Sequence, residues 1–312
     1  MDYIGHMLSS GRLALDLALY LMLPITVIMG GIMAVFDHRG VLKKISTVLS
    51  PVCALFGASG LSLIALSKIL FVSSVAPLPT LGKLDQQEQD NRKLAASLAL
   101  VLTATQGNIS FPMVAYGLDL SVLLSSSLIG GILASAVTYY VFAAGLEKDV
   151  VKVPPVSEHG VPAPRKTVVQ SLSEGGMEGM KIAVNMIPML IITLFLLAVL
   201  KELNVISWLT SFLSPAFSAI GLPSSAALPV ITKYIAGGTA YMGVMIDQIE
   251  QGNISVRDIN IIAGLASNPV DLVGIAIFSA IGPRIGKIFR IALMGAMVGL
   301  VARAIIHIVW FN

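Results

Sequence analysis

Apolar runs separated by short polar breaks fill this chain, and ten of them can be marked, five on each side of one polar stretch. The first five are residues 13–36, 41–56, 61–81, 94–116 and 121–145, and the second five are 182–200, 205–220, 226–246, 259–281 and 288–310. Runs of this length and apolarity predict helices that lie in a bilayer, with the run from Leu13 to Phe36 long enough to cross it. The second and third runs of each set are short or interrupted, so each such pair reads either as two spans or as one re-entrant hairpin. The fold class expected is therefore an all-α polytopic membrane protein made of two inverted five-element repeats with interrupted helices or re-entrant hairpins.

The two sets match at one constant offset. Pro24 aligns with Pro188, Val41 with Val205, Leu49 with Leu213, Ser50 and Pro51 with Ser214 and Pro215, and Gly57 with Gly221. One inserted residue brings Lys68 opposite Lys233, and a shorter loop brings Gln106, Gly107 and Asn108 opposite Ala266, Ser267 and Asn268. This is the pattern of a tandem duplication. The expected organisation is a first membrane repeat over 1–146, a mobile cytoplasmic linker over 147–181 carrying Pro154, Pro155, Pro162 and Pro164, and a second repeat over 182–312.

Loop charge orients the two copies. Arg39, Lys43 and Lys44 crowd one loop of the first half, whereas the equivalent loop of the second holds Lys201 beside Glu202. Conversely, Arg284, Lys287 and Arg290 of the second half face a counterpart at 117–120 whose charge is Asp119. Loop 83–93 carries three basic residues, and its partner at 247–258 has Arg257 among acids. Basic loops stay on the cytoplasmic side, so these swaps predict a linker inside, both termini outside and a second half upside down in the cell (inner) membrane.

Composition agrees with that class and excludes others. The chain is 56% hydrophobic and 12% charged over 312 residues, which leaves no room for a large soluble domain. Its single cysteine, Cys53, rules out an internal disulfide, and the four histidines lack metal-ligand spacing. No basic stripe interleaved with aromatics is present, so nucleic acid is not an expected partner. No Ser/His, Cys/His or paired-carboxylate arrangement presents itself, so neither enzyme activity nor a catalytic residue is expected.

Candidate chemistry sits where the apolar runs break. Lys68 and Lys233 each lie in a third run, with Ser73 and Ser74 or Gly237, Gly238 and Thr239 just downstream. A lysine there either snorkels to an interface or stands at a polar cavity, and its recurrence in both halves favours the cavity. The fourth runs carry TATQGNIS, with Gln106 and Asn108, and LASNPVDLVG, with Asn268 and Asp271. Asn-Pro breaks a helix, and an Asp at bilayer depth costs about 2.5–3.5 kcal/mol unless it is paired or hydrated. Asp271 is accordingly expected to be an ion, proton or substrate ligand, first as the coupling site for H+ or Na+. The turns ahead of the third runs, with Ser59 in one and Ser224 and Ser225 in the other, offer hydroxyls and backbone N–H groups at helix starts, an arrangement suited to anions.

Two of these stretches carry a resemblance. GLPSSAALPVITKYIAGGTAYMG and its upstream copy resemble the nucleoside-recognition, or Gate, membrane family, including the gate regions of concentrative nucleoside transporters and of the bacterial ferrous iron permease, and the spore maturation membrane proteins. The pattern at Ala227, Leu228 and Pro229, then Gly237 and Gly238, then Met242 to Met245 is most similar to the last. The resemblance implies inverted repeats whose helical hairpins meet at a central site. It places Gly57, Ser59, Ser224, Ser225, Gly237, Gly238 and Thr239 in the gate segments, with Asn108 and Asn268 in the facing broken helices. The chain departs from nucleoside carriers in having no intramembrane glutamate of the kind that grips ribose, and from iron permeases in having no cysteine at a gate position.

The function expected is alternating-access transport of a small polar solute, nucleoside-like or an organic anion, coupled to H+ or Na+ and without a bound cofactor. The alternatives are an ion or metal permease and a non-transporting membrane component of the spore-maturation type. Expected partners are the solute and the lipid bilayer, with homo-oligomer formation left open.

Overall fold

A computed structural model describes residues 3–146 and 166–312. The described residues form helices, turns and loops, and five helices are long and apolar enough to cross a membrane. The expectation for the linker over 147–165 falls outside the described residues. Its remainder is corrected: the helix expected from Ile182 begins at Val168, where a capping box between Thr167 and Gln170 satisfies its first N–H groups.

In order, α1 (Tyr3–Asp16) and α2 (Leu23–His38) form one long helix through a π-helical turn at Leu17–Met22. Then come α3 (Val41–Leu55), α4 (Gly60–Phe71), α5 (Leu78–Gln87), α6 (Asn91–Thr103), α7 (Gly107–Val114) and α8 (Leu120–Val137, prolonged by a π turn to Phe142). The second half has α9 (Val168–Glu202), α10 (Val205–Ala219), α11 (Ala227–Ala236), α12 (Gly238–Glu250), α13 (Val256–Ala266), α14 (Leu272–Ser279) and α15 (Pro283–Phe311). The duplication is visible in the backbone. α3 and α10 are each 15 residues long, each is preceded by a left-handed residue (Gly40, φ 69°; Asn204, φ 57°), and each is followed by a left-handed glycine (Gly57, φ 78°; Gly221, φ 81°).

Contacts at the helix ends show how the halves lie. At one end of the molecule, Arg92 at the start of α6 donates to Tyr139 O (3.0 Å), Ser135 donates to Phe56 O (2.9 Å), and Arg284 at the start of α15 donates to Asp85 O (3.0 Å). At the other, Asn260 of α13 holds both Gly117 O (2.9 Å) and Asp119 N (2.7 Å), and Arg257 donates to Phe311 O (2.8 Å). The pair α6–α7 thus runs from the first end to the second and α13–α14 runs back, the inverted arrangement. α4 and α5 enter and leave at the first end, and α11 and α12 at the second, so both third elements are re-entrant hairpins. A bend of 110° between α3 and α4 shows that those two do not make one straight span.

Burial separates frame from centre. Across α6 and α7, 94% of the apolar window is buried, against 28–39% in the other four spans. The latter expose Tyr20, Ile28, Leu196 and Val309, as lipid-facing helices do. Two helix seams have no side-chain layer. A Cβ on Gly30 of α2 would lie 2.5 Å from Gly175 O of α9, and one on Gly299 of α15 would collide with Gly130 O of α8. Thr26 adds a hydrogen bond across the first seam, from Oγ1 to Gly179 O at 3.1 Å.

Candidate functional site

The breaks in the fourth elements fall where their residues cannot continue a helix. Pro269 disfavours helical backbone at Asn268. Asn268 Oδ1 instead accepts from Val270 N at 2.9 Å, and its Nδ2 donates to Leu265 O at 2.6 Å. Asp271 is extended (φ −149°, ψ 174°) and caps α14, accepting from Gly274 N at 2.7 Å. In the first half Ala104 and Gln106 are extended, and α7 restarts at Gly107. A Cβ at Gly107 would stand 2.7–2.9 Å from the backbone of Leu70, Phe71 and Val72, so glycine lets α7 begin against the end of α4.

The two breaks touch. Thr105 Oγ1 bonds Ser110 Oγ at 2.6 Å and also reaches Ser267 Oγ, and Gln106 Nε2 donates to Asn268 O. Both hairpin turns come to the same place. Gly237 (φ 92°, ψ 176°) brings the α11–α12 turn to within 3.8 Å of the Asp271 carboxylate, measured from where its Cβ would be, and Ser74 and Val75 of the α4–α5 turn approach from the other side. Together they enclose a cavity of about 150 Å³, also lined by Gln106, Asn108, Gly238 and Thr239 and by Met186 of α9.

Two polar groups set the electrostatics of this cavity. Asp271 is 5% exposed and pairs with fully buried Lys233, Nζ to Oδ2 at 2.6 Å, so the wall carries a closed ion pair. Asn108 is 2% exposed; its Oδ1 accepts no hydrogen bond among the described residues, and its Nδ2 has only Met186 Sδ at 3.9 Å. A buried amide without a strong partner costs roughly 1–3 kcal/mol, a penalty that a polar solute or water would remove.

Of the residues singled out from sequence, Gln106, Asn108, Gly237, Gly238, Thr239 and Asp271 line the cavity, and Lys233 stands behind Asp271. Asn268 does not line it, because its side chain is spent on the local turn. Lys68 lies elsewhere, paired with Asp37 at 3.0 Å beside a second cavity that Glu174 and Glu178 also line. Ser59, Ser224 and Ser225 sit at the hairpin entrances: Ser59 N donates to Ser97 Oγ at 2.9 Å, and Ser224 and Ser225 make a 3-10 turn. Sequence reading missed Met186, which has no polar signature, and Arg303 and His307, both 0% exposed inside α15. An arginine four residues before a histidine in an apolar run was the available signal.

The helices and the central cavity define an all-α, multi-pass membrane protein whose re-entrant hairpins and broken helices meet at its centre. No protein-family model matches the chain. Among curated proteins it is similar to spore maturation protein B of Bacillus subtilis (strain 168), 29% identical over 147 residues, which is 46% of this chain and 82% of that protein. Among solved structures it resembles CNTnw, a concentrative nucleoside transporter. The TM-score is 0.70 at 18% identity to a variant in an outward-facing state, covering 93% of this chain and 75% of that one. It is 0.69 at 17% identity to an inward-facing substrate-bound state, covering 93% and 73%. At these identities the likeness shows a shared fold.

Proposed function

We propose that the protein is an inner-membrane carrier that moves a small polar solute by alternating access, with the cavity at the two helix breaks as its binding site. The observation that carries this reading is Asn108, a buried amide left without a strong partner on the wall of a cavity that both hairpin turns close. Two broken segments at corresponding positions of inverted halves are the usual setting of such a site.

The closed Lys233–Asp271 pair gives the wall no net charge there, while the uncapped start of α7 adds a partial positive charge. That balance favours a neutral hydrogen-bonding solute of nucleoside type or a monoanion over a metal cation. Among the described residues no cluster of His, Cys, Asp or Glu is arranged to hold a metal. Coupling to H+ or Na+, where it occurs, would act through Asp271, whose carboxylate reaches the cavity. Residues 1–146 and 168–312 are then two gate-like repeats joined by a cytoplasmic linker, with both termini outside; the crowding of Arg39, Lys43, Lys44, Arg92, Lys93 and Lys287 toward the linker end supports that orientation. The similarity to spore maturation protein B supports a second reading, a membrane component that binds without transporting.

A thermal-shift screen of the purified protein against nucleosides, nucleobases, organic anions and metal ions tests the proposal. A true ligand at a hundred times its Kd stabilises the folded state by about 2.7 kcal/mol. One solute class is expected to raise the unfolding temperature saturably in wild type and not in Asn108→Ala. A ligand that stabilises both equally would place the site elsewhere.

A further inference from the structure

Arg303 stands deep in the apolar run of α15 and is 0% exposed. Room for its stem comes from Gly130 of α8, where a Cβ would meet Arg303 Cγ at 2.6 Å. Among the described residues no carboxylate pairs with it. Its Nη1 donates to Thr103 O at 2.5 Å and to Ser267 O at 3.0 Å, while Nε and Nη2 have no hydrogen-bond partner among the described residues.

Those two carbonyls are a matched pair. Thr103 is the last residue of α6 and Ser267 is the C-cap of α13, so the guanidinium lies where both fourth elements break off at their carbonyl ends. A helix C-terminus carries roughly −0.5 elementary charge, and two of them sum to about −1. One guanidinium cancels that charge. In broken-helix carriers generally, freed carbonyls and half-helix C-termini are where a monovalent cation is held.

We propose that Arg303 is a resident cation occupying a cation site built by the two broken helices, so that no Na+ is imported at that position. Charge, rather than hydrogen bonding, is its contribution: a neutral donor of similar length could serve both carbonyls, yet the side chain present is a cation with two of its nitrogens idle. A consequence for the carrier reading, on which this clause alone rests, is that a coupling ion would have to act at the Lys233–Asp271 pair.

The test uses full-length protein in detergent and the unfolding temperatures of wild type, Arg303→Lys and Arg303→Gln, in NaCl and in choline chloride of equal ionic strength. Lysine keeps the charge and glutamine keeps donors without it. Arg303→Lys should stay close to wild type, whereas Arg303→Gln should fall by roughly 5 °C or more in choline and recover part of the loss in Na+ beyond any wild-type response. A glutamine variant as stable as wild type, or one destabilised without a gain in Na+ response, would overturn the proposal. Should Arg303→Gln not fold, a folded Arg303→Lys supports the resident cation and an unfolded one overturns it. No readout involves solute or flux, so the outcome is separable from that of the carrier proposal.

Discussion

Asp271→Asn isolates the charge of the buried pair. The amide oxygen can still accept from Gly274 N, so the cap on α14 survives, but Lys233 is left fully buried with Val270 O at 3.5 Å as its remaining acceptor. Removing one partner of a buried ion pair costs about 3–5 kcal/mol, because the other charge stays desolvated. Lys233→Met should cost less, since Asp271 keeps Gly274 N and borders the cavity, where water can reach it. The double variant Lys233→Met with Asp271→Asn removes both charges and should be less destabilised than the two single effects added, with a coupling of about 2 kcal/mol. At roughly 2–4 °C per kcal/mol, Asp271→Asn should lower the unfolding temperature in detergent by about 6–20 °C. The assay is the fraction of monodisperse protein left after heating, read by size-exclusion chromatography for all four proteins. Additive single effects would show that the 2.6 Å contact contributes nothing specific, and would leave Asp271 as a helix cap.

Gly237 holds a backbone conformation (φ 92°, ψ 176°) open essentially to glycine alone; Gly237→Ala should destabilise the α11–α12 turn by about 1–3 kcal/mol, and protease sensitivity within 227–250 equal to that of wild type would refute this. For orientation, Lys43→Cys and Asn253→Cys in a Cys53→Ser background lie at opposite ends; in intact cells an impermeant maleimide should label position 253 and not 43, and labelling of both would contradict the proposed sidedness.

Much of the fold was written in the apolar pattern because lipid enforces it. A span has to satisfy its own backbone, so its length and its interruptions show in the sequence. The duplicated Gly57 and Gly221 were readable for a similar reason: each adopts positive φ, which few other residues accept. Asn268, Pro269 and Asp271 announced a break, whereas Lys233, read from sequence as a lysine at a polar cavity, is fully buried behind Asp271. What pattern could not supply was pairing between distant segments. Lys68 and Lys233 occupy equivalent sequence positions, yet one meets Asp37 and the other Asp271, because the acid on α14 has no equivalent on α7. The spent side chain of Asn268 was hidden for a local reason: Asn before Pro can bond its own turn, and nothing in the sequence distinguishes that use from a ligand's. Arg303 was missed because its counterparts are main-chain carbonyls, which every residue has.

The seam between α2 and α9 has a mechanical meaning. Gly30 and Gly175 bring two peptide backbones together with nothing compressible between them, and Thr26 ties them to Gly179. Such a joint cannot widen by degrees. Parting it would break the bond from Thr26 to Gly179 O and the close backbone packing, while each helix keeps its own backbone hydrogen bonds. The two long helices therefore behave as a single stiff post, and Met186, two turns along α9 from Gly179, is a piece of that post set into the cavity wall. Met186 thereby joins the cavity wall to the closely packed helix pair at Gly30 and Gly175.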